Sequence, residues 1–489
     1  MSKYIKFVAE KRLLNVYKRF NTIMRHLLTI VALFVSALLS AQTLSPEVIQ
    51  DIQKSFDRDA ASTIAIQNIL TATADIKSTA LSHANETAVD HFFKYRAQVS
   101  GITDQQRSGR CWLFTSTNQI RPQVMEKYNL KAFNFSNNYC YFWDIFEKAN
   151  LFLENAIATA DRDFDDRAVV TFFRAPVADG GVWNLFYNIV EKYGIVPAEV
   201  MPETANSNNT QQMLGVINER LRKAGYEIRE AAAAPAKGKK EIAKRADSIF
   251  AIKIAALKDV YRVLALCLGE PPAEFTWRYQ TKDGKIESLS STPLDFWKAI
   301  RPADFGAESY VMIMNDPTRE YYKRYEIENY RNTYEGLNWV YVNLPNEDIK
   351  VAALASLKAG EPMYASCDVG KQANRATGVL DVNNYDYASL LGIDLKMDKK
   401  ARILTRQSGS SHAMLLMACD TDESDMPTKW QFENSWGPAS GHNGYLTFTD
   451  AWFSEYMFRL VINIKYLDAK AVEAFHSKPI MLPVWDYMF

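Results

Sequence analysis

Gln105-Gln106-Arg107-Ser108-Gly109-Arg110-Cys111-Trp112 runs into a segment, 113–128, in which Leu113, Ile120, Val124 and Tyr128 fall on one helical face. Pro122 weakens the middle of that helix. A cysteine in the first turn of a helix feels the positive end of the dipole, which lowers its pKa toward the nucleophilic thiolate. Gly109 permits close backbone approach just before it. Gln105 lies upstream at a distance that one turn can close. Its side-chain amide can then join the Cys111 N–H in holding an oxyanion. Taken singly, a cysteine is more often a buried structural thiol. The assignment therefore needs a base and an orienting group elsewhere in the chain.

Outside the first 41 residues the histidines are His83, His91, His412, His442 and His476. His412 opens Ser410-Ser411-His412-Ala413-Met414-Leu415-Leu416, at the mouth of an apolar strand-like run that can aim an imidazole into a cleft. His442 stands between Gly441 and Asn443 in a loop. His83 and His91 precede the cysteine in a helical region, and His476 is near the tail. The third element is Phe432-Glu433-Asn434-Ser435-Trp436-Gly437. An asparagine carbonyl accepts the imidazole Nδ1–H and holds the reactive tautomer. Trp436 can lie over that bond and keep water out.

In order and separation these segments resemble the papain superfamily: Gln-x5-Cys-Trp, then Ser-His-Ala, then Glu-Asn-Ser-Trp-Gly followed by Gly444-Tyr445. Arg110, where papain has a small residue, is similar to the bleomycin hydrolase/aminopeptidase C group. So are Gly180-Gly181-Val182-Trp183, Val190-Glu191-Lys192-Tyr193-Gly194, Phe275-Thr276-Trp277 and Asn315-Asp316-Pro317. Cys367-Asp368-Val369-Gly370-Lys371, Asn384-Tyr385-Asp386 and Leu482-Pro483-x-Trp485-Asp486 extend the similarity, which covers roughly residues 46–489.

The resemblance implies an α+β, papain-like two-lobe fold with a helical insertion. It implies acyl transfer by Cys111, His412 and Asn434, with Gln105 in the oxyanion hole and Trp436, Gly109 and Trp112 in support. It implies no metal or organic cofactor, and a hexameric barrel whose sites face an inner chamber. Members act chiefly as aminopeptidases on short or unfolded peptides, because the C-terminal tail lies in the cleft and its carboxylate anchors the substrate amine. Phe489 would carry that carboxylate here. The family tail usually continues Trp-Asp-Pro-Met-Gly and a few small residues, whereas this one reads Trp485-Asp486-Tyr487-Met488-Phe489 and stops. A shorter tail leaves open the release of larger N-terminal units, or endopeptidase action. Transfer to a non-water nucleophile and an inactive scaffold barrel are the other readings. The intact set Gln105, Cys111, His412 and Asn434 argues against the scaffold.

Composition is consistent with an enzyme of this kind. Apolar residues make up 48% and aromatic residues 12%, enough for a substantial core. Lysine and arginine total 57, as do aspartate and glutamate, so nothing in the net charge points to nucleic acid or a membrane surface. The basic run from Lys237 to Lys240 reads as a solvated helix start. Arg25-His26 lead into an apolar run, Leu27 to Leu39, that closes on Ser40-Ala41. That run is short for a membrane span and suits a secretory signal, with Met24 as an alternative start. Cleavage after Ala41 would give an exported protein, periplasmic or secreted, with no membrane attachment, and an uncleaved signal anchor is the rival reading; the well-known members of the group are cytosolic.

The five cysteines, Cys111, Cys140, Cys267, Cys367 and Cys419, include no CxxC pair. This is neither a disulfide scaffold nor a zinc site. Cys367 is expected near the cleft floor, and Cys140, Cys267 and Cys419 as buried thiols. The expected layout is a signal over residues 1–41, then an N-terminal arm and helical lobe with the nucleophile over 42–210. A helical insertion over 211–290 turns at Pro235 to Lys240. A β-rich lobe with the histidine and asparagine spans 291–475, and a tail near the cleft spans 476–489. Within these, helices are expected over 46–90, 137–160 and from Gly180-Gly181 to Tyr193, and strands from Phe275 onward.

Overall fold

The computed structural model describes residues 44–487; the signal expected over 1–41 and the terminal Phe489 lie outside the described residues. Residues up to Thr79 form one unit and residues from Ala80 another. In the first, the helix expected over 46–90 is divided into Pro46–Ser55, Ala61–Ala72 and Ile76–Thr79. The breaks have a local cause. Asp57 Oδ1 accepts the N–H groups of Asp59 and Ala60, at 3.3 and 3.2 Å, and Asp75 Oδ1 accepts that of Ser78 at 2.9 Å. Such side chains offer the backbone an alternative to the helical ladder.

The second unit has two apolar cores, one under helices and one under a sheet. The helix Cys111–Lys127 belongs to the first, with Trp112, Leu113, Ile120 and Val124 buried. Pro122 sits inside this helix without ending it. A proline there costs about 3 kcal/mol, which the burial of the surrounding side chains offsets. Asn137–Ala158 packs beside it, capped by Ser136 Oγ accepting from the Tyr139 N–H at 3.0 Å. Trp183–Tyr193 ends at Gly194, whose φ of 75° favours glycine. A Cβ at Gly194 would also meet the Pro293 backbone at 2.2 Å. Gln211–Ala233 and Gly238–Leu268 form a helical hairpin against Asn137–Ala158. The turn ends sooner than expected, because the chain is already helical at Gly238.

After a two-stranded hairpin, Phe275–Gln280 with Ile286–Ser291, the chain builds all but one strand, the earlier Tyr95–Arg96, of a twelve-stranded sheet. Its centre runs Met457–Asn463, Met363–Cys367, His412–Thr421, Pro427–Glu433, Tyr445–Thr449 in spatial order. His412 lies opposite Cys367, and Leu415 opposite Glu433, which brings the histidine and asparagine segments side by side. Pro293–Ile300, Asn346–Lys358, Asp450–Tyr456 and Ala469–His476 are helices that the strand-rich reading of this half passed over. The architecture is α+β with two lobes. All five cysteines are free. Cys140 and Cys419 are buried as expected, and Cys367, expected near the cleft floor, is buried in the core under the sheet. Cys267, on the last turn of its helix, is partly exposed instead.

Candidate active site

The loop before Cys111 is held from several sides. The Gln105 N–H donates to Ser435 O at 2.9 Å, and the Ser435 hydroxyl donates to Gln105 Oε1 at 2.7 Å. Gln105 Nε2 donates one hydrogen to Ser108 O at 2.5 Å. The Gly109 N–H donates to Asp179 Oδ2 at 2.6 Å, as does the Thr210 hydroxyl at 2.6 Å. The Trp112 indole N–H donates to the Asp179 carbonyl at 2.8 Å. Arg110 is fully buried, ion-paired with Glu203 at 2.8 Å and packed over the rings of Phe114 and Tyr141. Asp179, Thr210 and Glu203 were not singled out from the sequence. Asp179 had a signal, since it directly precedes Gly180-Gly181.

Gly109 is under a tight constraint, because a Cβ there would meet Asp179 Oδ1 at 2.4 Å. Gly109→Ala must displace the carboxylate that fixes the loop. The expected result is a fall of about 10²-fold in kcat/KM, the scale of a misplacement near 1 Å, with melting temperature changed little. Wild-type kinetics in the variant would show that the brace is dispensable.

His412 is buried at the first position of its strand. Its Nε2 lies 2.8 Å from Asn434 Oδ1, so the ring meets the asparagine through Nε2 and not through Nδ1 as expected. The tautomer this fixes carries its hydrogen on Nε2 and leaves Nδ1 as the acceptor. Asn434 Oδ1 also accepts the Ser435 N–H at 2.8 Å. Trp436 stacks on the imidazole, with centroids 4.5 Å apart and the planes at 27°. The next residue along the strand, Ala413, directs its N–H at Cys111 Sγ over 3.5 Å. This places the thiol beside the strand end that carries the imidazole. His91 and His442 stack on each other instead, at 3.9 Å, and His83 pairs with Glu86.

Burial decides the charge states. It pushes the Cys111 thiol up to about 11, against the lowering effect of the Ala413 and Trp112 N–H groups. Burial thus opposes the thiolate that the helix dipole favours. Burial also lowers His412 to about 4, opposed by the Asn434 bond and assisted by the Arg375 charge. Taken separately, burial favours the protonated thiol and the neutral imidazole.

Cys111, His412, Gln105 and Gly109 line one cavity of about 800 Å³, and Val484, Trp485 and Asp486 of the tail line it too. The tail is fastened there. Ile480–Leu482 pairs in parallel with Lys323–Ile327, Asp486 is ion-paired with Arg319, and the Tyr487 and Thr318 hydroxyls are in contact. Arg319 also lies over the Tyr487 ring at 4.7 Å, and Arg167 over the Trp485 ring at 5.2 Å. Among the described residues, no group of three or more histidines, cysteines or carboxylates is arranged to hold a metal.

Residues 43–489 match the family described as Peptidase C1-like. The chain belongs to that family. As a Peptidase C1-like protein it is a cysteine peptidase. It is 35% identical to bleomycin hydrolase of Homo sapiens over 460 residues, which cover 92% of this chain and 99% of that one. It is 34% identical to aminopeptidase C of Lactobacillus delbrueckii subsp. lactis over 454 residues, covering 92% and 98%. The crystal structure of pepw from Lactobacillus rhamnosis HN001 (DR20) superposes with a TM-score of 0.85 at 33% identity, covering 92% of this chain and 99% of that one. This likeness and the sheet-and-helix architecture make the fold that of the papain-like peptidases.

Proposed function

We propose that this cysteine peptidase is an aminopeptidase that uses Cys111 as nucleophile, His412 as base, Asn434 as the orienting group and Gln105 as oxyanion donor. His412 Nδ1 takes the thiol proton as sulfur attacks the scissile carbonyl carbon. The resulting oxyanion accepts from the Cys111 N–H and from the second Nε2 hydrogen of Gln105, the first being held by Ser108. The imidazolium then gives its proton to the departing amine. Water, deprotonated by the same nitrogen, attacks the thioester, and collapse releases the acid and restores the thiol. Asn434 keeps the ring in the tautomer this needs, and Trp436 shields their bond.

The observation that carries the exopeptidase reading is the tail in the Cys111 cavity. A cleft partly filled by its own chain has room for few residues upstream of the scissile bond. The relatives named aminopeptidase C support the same reading. The test uses peptide–aminocoumarin substrates in matched pairs, with a free or an N-acetylated terminus. Free-amine substrates are expected to be turned over at least about 10²-fold faster, the scale of a desolvated charge pair. Equal turnover of the blocked forms would refute the exopeptidase reading and leave an endopeptidase.

A further inference from the structure

The cleft carries a charge that the chain as a whole does not. Basic and acidic side chains balance at 57 each over the sequence. Among the described residues, the Cys111 cavity is nevertheless lined by Lys148, Arg167, Arg174, Arg331, Arg406 and Arg459, against the carboxylates of Glu328 and Asp486. Existing pairs sharpen the imbalance. Asp486 is committed to Arg319, which is not part of the lining. Lys148 is paired with Asp144 at 2.7 Å, and Arg459 is buried against the Trp339 ring at 4.0 Å. Arg167, Arg174, Arg331 and Arg406 are left, none with a described carboxylate within 4.0 Å.

These four guanidinium groups come from different walls. Arg167 and Arg174 mark the two ends of one helix of the helical lobe. Arg406, with φ of 60°, stands on the loop that leads to His412 in the β-rich lobe. Arg331 donates through Nη1 to Asn338 at 2.9 Å, and its Nε is buried with no hydrogen-bond partner. Arginines from separate elements therefore line the cavity that also holds Cys111 and the tail. Guanidinium groups are weakly hydrated and present a planar fork that matches a carboxylate. In a partly enclosed cleft their charge is screened less than on an open surface.

We infer that the peptides this cleft takes are acidic, with aspartate or glutamate side chains among the residues flanking the scissile bond. The inference rests on the reading of the cavity as the peptide site. A carboxylate side chain finds an uncompensated guanidinium on either wall. A lysine or arginine side chain in the same place meets four like charges and one carboxylate, Glu328.

The experiment uses three short free-amine peptides, identical except for Glu, Ala or Lys on each side of the scissile bond, with cleavage followed by chromatography. At an ionic strength of about 10 mM, kcat/KM is expected to fall in the order Glu, Ala, Lys, with Glu over Lys by about 10-fold or more. At about 0.5 M salt the ratio is expected to collapse toward unity. The double variant Arg174→Glu/Arg406→Glu is expected to cut the low-salt Glu-to-Lys ratio by about 10-fold. Both residues are exposed; should the variant not fold, the salt series on the wild type decides alone. Equal turnover of the three peptides at low salt, or a preference for Lys, overturns the inference and leaves the peptidase reading standing. No turnover of any of them overturns both.

Discussion

Cys111→Ala is expected to fold like the wild type and to lose peptide hydrolysis by about 10⁴-fold or more, as removal of a nucleophile does in enzymes of this kind. The fold should survive because Cys111 is partly exposed at the helix start and its thiol is approached by backbone N–H groups alone, those of Ala413, at 3.5 Å, and Trp112. Chemistry should not survive, since no second nucleophile shares its relation to His412. Cys367 faces His412 across the sheet, but it is buried in the β-rich core and its thiol is pushed well above its usual range by that burial. His412→Ala should be nearly as damaging. With the thiol raised to about 11, the sulfur attacks at neutral pH only if something accepts its proton. Alkylation of Cys111 by iodoacetamide separates the two roles: it should slow markedly in His412→Ala and vanish in Cys111→Ala. Residual hydrolysis in Cys111→Ala above a hundredth of wild type would remove Cys111 from the mechanism.

The parts of this site that could be read in advance are those whose logic is local. Helix start, preceding glycine and apolar spacing placed Cys111, and the helix holds through Pro122 as its buried face requires. The strand opened by His412 and the one ending beside Asn434 were marked by short apolar runs between polar turns. Asp179 beneath Gly109, Glu203 on Arg110 and Arg319 on Asp486 join segments far apart in the chain, and only the fold makes them neighbours. The thiol's protonation is the same lesson in energetic form. The dipole is a local term and favours the thiolate, whereas burial, which opposes it, is set by the fold. Some misses had a local signal. Thr292-Pro293 with Asp295 is a helix start, Thr292 Oγ1 accepting the Asp295 N–H at 3.1 Å. The choice of Nε2 over Nδ1 on His412 had none, since it depends on how far apart two neighbouring strands hold the ring and the amide.

Gln105→Ala is expected to lower kcat by about 10²- to 10³-fold while leaving KM within a few-fold of wild type. The asymmetry follows from where the amide is aimed. Gln105 is buried, its Oε1 held by the Ser435 hydroxyl and one Nε2 hydrogen by the Ser108 carbonyl. The second hydrogen is left for the cavity that Cys111 lines, where negative charge appears only after sulfur has added to the carbonyl. An interaction made in the transition state and not in the ground state changes kcat and spares KM. The same two bonds mean that truncation also loosens the loop, so a loss of rate alone is ambiguous. Two readouts resolve it. Iodoacetamide reacts with Cys111 without forming an oxyanion, so its rate should be nearly unchanged in Gln105→Ala if the loop stays in place. Gly109→Ala moves the same loop while keeping the Gln105 side chain, and should slow alkylation and hydrolysis together. If Gln105→Ala depresses both rates equally, or lowers kcat by less than about 10-fold, Gln105 is a strut of the loop and the oxyanion depends on the backbone N–H.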